Sequence, residues 1–195
     1  MQALIDAMPD HHRIAAVLGA GCGLRVGEVL GLRIGSIRIE EGELAVVEQL
    51  QLLPGSPPVL RPPKTASSIR VVPLPQLVAD AVVLHLDHWP GEDDDLLLRS
   101  RTGGCVWPNS FNDSVWRPAA RRAGQPDARF HDLRHFYASA VDTLETYAGL
   151  WPDSQARTRA AVGDLGLRSA APRGPGRSRA VQTGPVRRPT DGPAN

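Results

Sequence analysis

Between residues 37 and 73 the apolar residues change their spacing, and this change limits the fold more than any other feature of the chain. Before it the spacing is helical. Leu4, Ile5 and Met8 share one face, residues 10–20 read as a helix with Asp10 as its N-cap, and 26–32 read as another. Gly19, Gly21 and Gly23 are expected to interrupt the first of these. Residues 37–39, 44–53 and 69–73 read as strands, divided by the turn cluster 54–58 and a polar connection over 61–68. The helical period then returns over 75–89, 109–123 (capped by Asn109 or Ser110) and 130–147. Residues 96–98 read as a short buried strand. A break is expected at 151–153, with a last helix expected over 153–162. The expected fold class is α+β and mostly helical: a helix bundle with a small antiparallel sheet of two or three strands.

Composition decides where this pattern stops. Residues 165–195 hold five Gly, five Pro, six Arg and no aromatic residue. Such a segment buries too little apolar surface to offset its chain entropy, so a disordered tail is expected over 165–195 and a folded unit over 1–164. The formal net charge of +1 therefore averages a tail of +5 and a body of −4. Of the 22 basic residues 21 are Arg, and Lys64 is the single lysine. Cys22 and Cys105 make no disulfide framework. A reduced cytoplasmic setting is expected, with no membrane span and no signal peptide. His85 and His88 have the spacing of metal ligands, but no Cys or carboxylate joins them. They read as helix surface, and His11 and His12 as solvated. Trp89, Trp107, Trp116 and Trp151 read as core or packing residues.

Three stretches carry a more specific signal: 21–33 (GCGLRVGEVLGLR), 63–74 (PKT, then SIRVVPL) and 130–135 (FHDLRH), with TLETY following at 143–147. In this order they resemble the catalytic domain of the tyrosine site-specific recombinases, the phage-integrase family. The resemblance runs from about residue 1 to about residue 162. It implies that the chain breaks and rejoins double-stranded DNA through a 3′-phosphotyrosyl link, with no metal and no small-molecule cofactor. The family acts as tetramers on paired DNA sites, so a homo-oligomer on DNA is the implied form.

The resemblance also implies roles. Arg25 and Arg134 hold the non-bridging phosphate oxygens through forked, charge-assisted donors. Lys64 protonates the departing 5′ oxygen, His131 assists proton transfer, and Tyr147 is the nucleophile. A phenol with a pKa of about 10 needs such cations beside it at neutral pH. Lysine can surrender a proton where arginine cannot, which suits the lone lysine to its role. Each residue has a plainer reading if taken singly: Arg25 a surface or capping arginine, Lys64 a solvated lysine, His131 and His135 capping or packing groups, Tyr147 a core aromatic. Glu28 reads as a structural partner of the first motif.

The chain also departs from the family pattern. The family has an N-terminal helical domain that clamps the DNA, and the resemblance here begins inside the catalytic domain. The family carries an LGH or LGW box between the second arginine and the tyrosine, and none stands between Ala138 and Asp142. If 132–147 is one helix, Arg134 and Tyr147 lie about 20 Å apart along its axis at about 1.5 Å per residue. They would also face nearly opposite ways. The expectation is a truncated recombinase with an internal deletion, impaired as an enzyme. The alternatives are a non-enzymatic DNA-binding remnant that caps or interferes with an intact recombinase, and a leftover that binds nothing.

Overall fold

The computed structural model describes residues 1–63 and 68–148, with the backbone alone over 142–148. The chain opens with α1 (Gln2–Ala7), α2 (Asp10–Cys22) and α3 (Val26–Leu30). A 3-10 turn (Ile34–Ser36) leads into β1 (Ile37–Arg38), β2 (Glu43–Val46), β3 (Gln49–Gln51), β4 (Val59–Arg61) and β5 (Arg70–Pro73). Then come α4 (Gln76–His88), α5 (Pro108–Phe111), a π-helical segment (Asn112–Trp116), α6 (Arg117–Arg122) and α7 (Phe130–Ala148). The mostly helical α+β architecture is the expected one. None of the described helices is long and apolar enough to cross a membrane.

The helices meet around α2, which packs against α7, α4 and α3. Its Leu18 and the following Leu24 are fully buried with Leu30, Phe111, Trp116 and Leu133. At roughly 25 cal/mol per Å² of apolar surface removed from water, each such side chain contributes on the order of 2 kcal/mol. The buried indole of Trp116 donates to the Ala128 carbonyl at 2.9 Å, so the ring is buried without stranding its N–H.

The strands differ from the expected single sheet. β1, β2 and β5 form one antiparallel sheet in the order β1-β2-β5, and β3 and β4 form a second. Register explains the division. Glu43 to Val46 pair with Pro73 to Arg70, and Gln49 to Gln51 pair with Arg61 to Val59. The first arm of the ribbon thus spends only Val47 and Glu48 between its two paired stretches, whereas the second spends residues 62–69. Lys64, within 64–67, lies outside the described residues. The three-residue strand β4 sits between proline pairs, too short for alternation to reveal it.

Local chemistry moves several other boundaries. Asp10 is not the cap of α2: Pro9 is, and Asp10 stands in the first turn, paired with Arg13 at 2.9 Å. Gly19 and Gly21 lie inside α2, and only Gly23 ends it, with φ 64°. Trp107 caps α5, with Pro108 in its first turn, in place of Asn109 or Ser110. The π-helical segment precedes Pro118, which has no N–H to give to the carbonyl four residues back. Leu97 and Leu98 are buried, but residue 96 makes only an isolated bridge with Arg33, so no strand forms there. Residues 151–195 lie outside the described residues, and with them the last expected helix, Trp151 and the tail.

The histidines are the largest correction. His85 is buried, with Nε2 3.1 Å from the Leu97 carbonyl oxygen, and its ring stacks on His11 with centroids 5.6 Å apart. Trp89 lies 5.0 Å from His11 and 4.8 Å from His85. His12 is half-buried, and its Nδ1 has no hydrogen-bond partner among the described residues. Only His88 stays on the helix surface. Tertiary contact between the start of α2 and the end of α4 thus turns a solvated pair and a surface residue into one apolar-sided cluster. Trp107, in contrast, is half-exposed.

Candidate functional site

The turn from α2 into α3 is where the first and third motifs meet. Gly23 takes the left-handed conformation that ends α2, and a side chain there would be strained. It would also collide: a Cβ on Gly23 would run into the Tyr137 ring at Cδ1. The Gly23 carbonyl accepts a short hydrogen bond from Arg134 Nη1. Arg134 and Tyr137 are three residues apart on α7 and so share one face, which closes over this turn.

Arg25 follows as the N-cap residue of α3. The helix beneath it is fixed by close approach to β3. A Cβ on Gly27 would stand 2.7 Å from the Leu50 carbonyl oxygen, and one on Gly31 2.7 Å from the Leu50 nitrogen. The repeated glycines of the first motif thus let α3 lie on the backbone of β3, and this sets the height of Arg25.

Glu28 is the buried centre of the site, 2% exposed. Its Oε2 accepts from the Arg25 backbone N–H at 2.9 Å, and its Oε1 from Arg25 Nη1 at 3.0 Å. Arg70, at the start of β5, adds a two-pronged bond: Nη1 to Oε1 and Nη2 to Oε2, both 2.9 Å. Four donors therefore occupy the four acceptor positions of one carboxylate. Burial works to raise the Glu28 pKa. The bonds from Arg70 and then Arg25 outweigh it and hold the carboxyl below its usual range. Arg70 is raised in return, by its bond to Glu28 against the cost of burial. Arg134 is pulled down, first by burial and then by the neighbouring Arg25 and Arg70 charges. Guanidinium stays protonated regardless.

Three guanidinium groups thus gather around one carboxylate, a local excess of two positive charges. Among the described residues Arg25 has no ion pair besides Glu28, and Arg134 has none. Their remaining N–H groups suit an anion with several oxygens.

The sequence-derived residues fare differently. Arg25 and Arg134, 109 positions apart in sequence, come together at Gly23. His131 stands in the first turn of α7, exposed, one helical step from Arg134, its ring edge-on to His135 at 4.7 Å. Lys64 lies outside the described residues. The backbone of Tyr147 belongs to α7, which runs unbroken from Phe130 to Ala148. It stands 13 residues beyond Arg134, about 20 Å along the axis. The phenol ring that stands beside the arginines is Tyr137, packed against Gly23, whose carbonyl Arg134 bonds. Neither Arg70 nor Tyr137 is singled out by the motifs. A partner 42 positions from Glu28 leaves no local signal, and Tyr137 follows the third motif by two residues without belonging to it.

Comparison with known proteins gives the same direction. The family model described as "Phage integrase family" matches residues 1–142. A tyrosine recombinase XerC-like protein of Caldanaerobacter subterraneus subsp. tengcongensis is 29% identical over 151 residues, 67% of this chain and 39% of that one. A putative prophage phiRv2 integrase of Mycobacterium tuberculosis is 28% identical over 152 residues, 77% of this chain and 40% of that one. Among solved structures, the Tn1549 transposon integrase in complex with transposon right end DNA superimposes with a TM-score of 0.57 at 19% identity, covering 78% of this chain and 50% of that one. XerA recombinase does so with a TM-score of 0.56 at 20% identity, covering 82% and 55%. The chain thus spans about two fifths of the curated relatives and about half of the solved ones, and the structural likeness is one of fold. The family match extends over most of the chain and takes in both arginine motifs, so this chain belongs to the phage integrase family.

Proposed function

We propose that this chain carries the phosphate-holding half of a tyrosine recombinase site and does not deliver its nucleophile in cis. The target of such a site is a phosphodiester of double-stranded DNA, and the solved Tn1549 integrase is itself in complex with transposon DNA. In the full reaction a tyrosine oxygen attacks phosphorus and the bond from phosphorus to the 5′ oxygen breaks. Lys64 would give that oxygen its proton, with His131 assisting. Arg25 and Arg134 would hold the charge that builds on the non-bridging oxygens.

The carrying observation is the contrast along α7. Arg134 reaches the α2–α3 turn, while Tyr147 continues on the same unbroken helix about 20 Å further on. Reacting atoms must approach within about 3.5 Å. A helical hairpin's worth of chain between Ala138 and Asp142, where the family has its LGH box, would reverse the helix and return the tyrosine. An internal deletion there accounts for the straight α7.

The test is a suicide-substrate assay with nicked duplexes carrying recombination sites of the matched relatives and random sequence. The purified chain is expected to form no covalent adduct. An adduct that disappears in Tyr147→Phe would overturn the cis defect. The second reading, a non-enzymatic DNA binder that occupies an intact recombinase's site, is favoured by the completeness of the arginine pair. It predicts a salt-sensitive gel shift that Arg25→Gln and Arg134→Gln weaken.

A further inference from the structure

Two arginines from different elements meet on one carboxylate. Arg25 enters from α3, and Arg70 stands at the start of β5. Between them stands Glu28, buried, with all four acceptor positions filled. The division of those positions is unequal. Arg70 spends both terminal nitrogens on Glu28, and its Nη1 also reaches the Ser68 carbonyl at 3.2 Å. Arg25 spends its backbone N–H and a single side-chain nitrogen.

We propose that Arg70 is a positioning residue: by occupying both oxygens of Glu28, it keeps Arg25 from closing on that carboxylate and so leaves the Arg25 fork for phosphate. This rests on the reading of Arg25 and Arg134 as the phosphate-holding pair. The competition is between two anions for one guanidinium. A buried carboxylate robbed of Arg70 cannot turn to water, since only 2% of Glu28 is exposed. The nearest cation is Arg25, half-exposed and already bonded through Nη1. A small rotation would make that bond bidentate, the stronger geometry for guanidinium and carboxylate. Arg134 would then face the phosphate alone.

Arg70→Lys separates this from a simple charge effect, because it keeps the positive charge and loses the fork. The probe is inorganic phosphate, titrated into the full-length chain and followed by the arginine Nε–H signals in NMR spectra. The Arg25 and Arg134 signals are expected to move together in the unaltered chain. In Arg70→Lys the apparent Kd for phosphate is expected to rise about tenfold, because one forked contact is lost. Adding Glu28→Gln to Arg70→Lys removes the competing anion and should restore binding to within about threefold of the starting value.

Phosphate binding unchanged in Arg70→Lys, or a loss that Glu28→Gln does not repair, would overturn the proposal. So would the absence of any phosphate response at Arg25 in the unaltered chain. If Arg70→Lys fails to fold, the neutral pair Glu28→Gln with Arg70→Gln takes its place. That pair is expected to bind phosphate no more weakly than the unaltered chain, and weaker binding overturns the idea. Duplex DNA distinguishes the two levels. Phosphate bound as expected but no DNA bound would refute the recombinase reading and leave the role of Arg70 standing. DNA bound equally by the unaltered chain and Arg70→Lys would remove the role and leave the reading.

Discussion

Glu28 shows how one side chain can be structural and still govern a site. Its carboxylate is almost fully buried and bonded to Arg25 and Arg70. Glu28→Ala would leave two guanidinium groups facing each other and Arg134 without their common counter-ion. Arg70 is only a quarter exposed, so water replaces the lost bonds poorly. The expected cost is about 2–4 kcal/mol, at or just below the range for breaking a buried pair, read as a lower midpoint in urea unfolding. A loss below about 0.5 kcal/mol, typical of exposed pairs, would show that the pair behaves as a surface one. The first motif announced Glu28 as a structural partner in the sequence. Its second partner could not be announced, because an arginine on a distant strand is chosen by the fold and by nothing in its neighbours.

At the scale of elements, the site depends on how closely α3 lies on β3. Gly31 has the Leu50 nitrogen at the position a Cβ would need, 2.7 Å away. Backbone cannot yield as a flexible side chain does, so the helix must move. Gly31→Ala is expected to destabilise the fold by about 1–3 kcal/mol, the usual range for overpacking. It should also lift Arg25 away from Arg134 and lower phosphate affinity, which thermal unfolding and a phosphate titration would read. Stabilisation instead, as alanine would give in an exposed helix, would disprove the close approach. Helices α2, α4 and α7 were legible from their apolar period, and α7 begins at the expected Phe130. The division of the ribbon into two sheets was not. It follows from a difference in loop length between two arms, which no window of local sequence contains.

The whole molecule responds to acid through groups that the fold keeps neutral or paired. His85 is pushed down to about 4, chiefly by burial, against the help of its bond to the Leu97 carbonyl. Burial also lowers His12, aided by His11, and lowers His11, aided by Arg99. The unfolded chain takes up these protons below about pH 6.5, whereas the folded chain resists them. Stability is therefore expected to be full above about pH 6.5 and to fall as pH drops from there toward about 4. Glu28, lowered from its ordinary value of 4.5, adds a second loss at more acid pH, as the folded carboxylate is finally protonated. The thermal midpoint should decline between pH 7 and 5, and His85→Gln, which keeps a donor for Leu97, should make that decline shallower. A midpoint flat over the interval would contradict the cluster.

The fold class, the shared family of the two arginine motifs and the missing LGH box between Ala138 and Asp142 can all be read from residue order. These follow from periodicity and from ordered residue types, which are local or linear properties. Packing alone fixed that Arg70 shares Glu28 with Arg25 and that Tyr137 covers Gly23. It likewise decided that His85 is buried against His11 and Trp89. Each of these depends on two segments meeting at hydrogen-bond or van der Waals distance. The energy of such a meeting is set by what else is excluded from the space, chiefly water. Sequence order carries no record of that exclusion until the chain has packed.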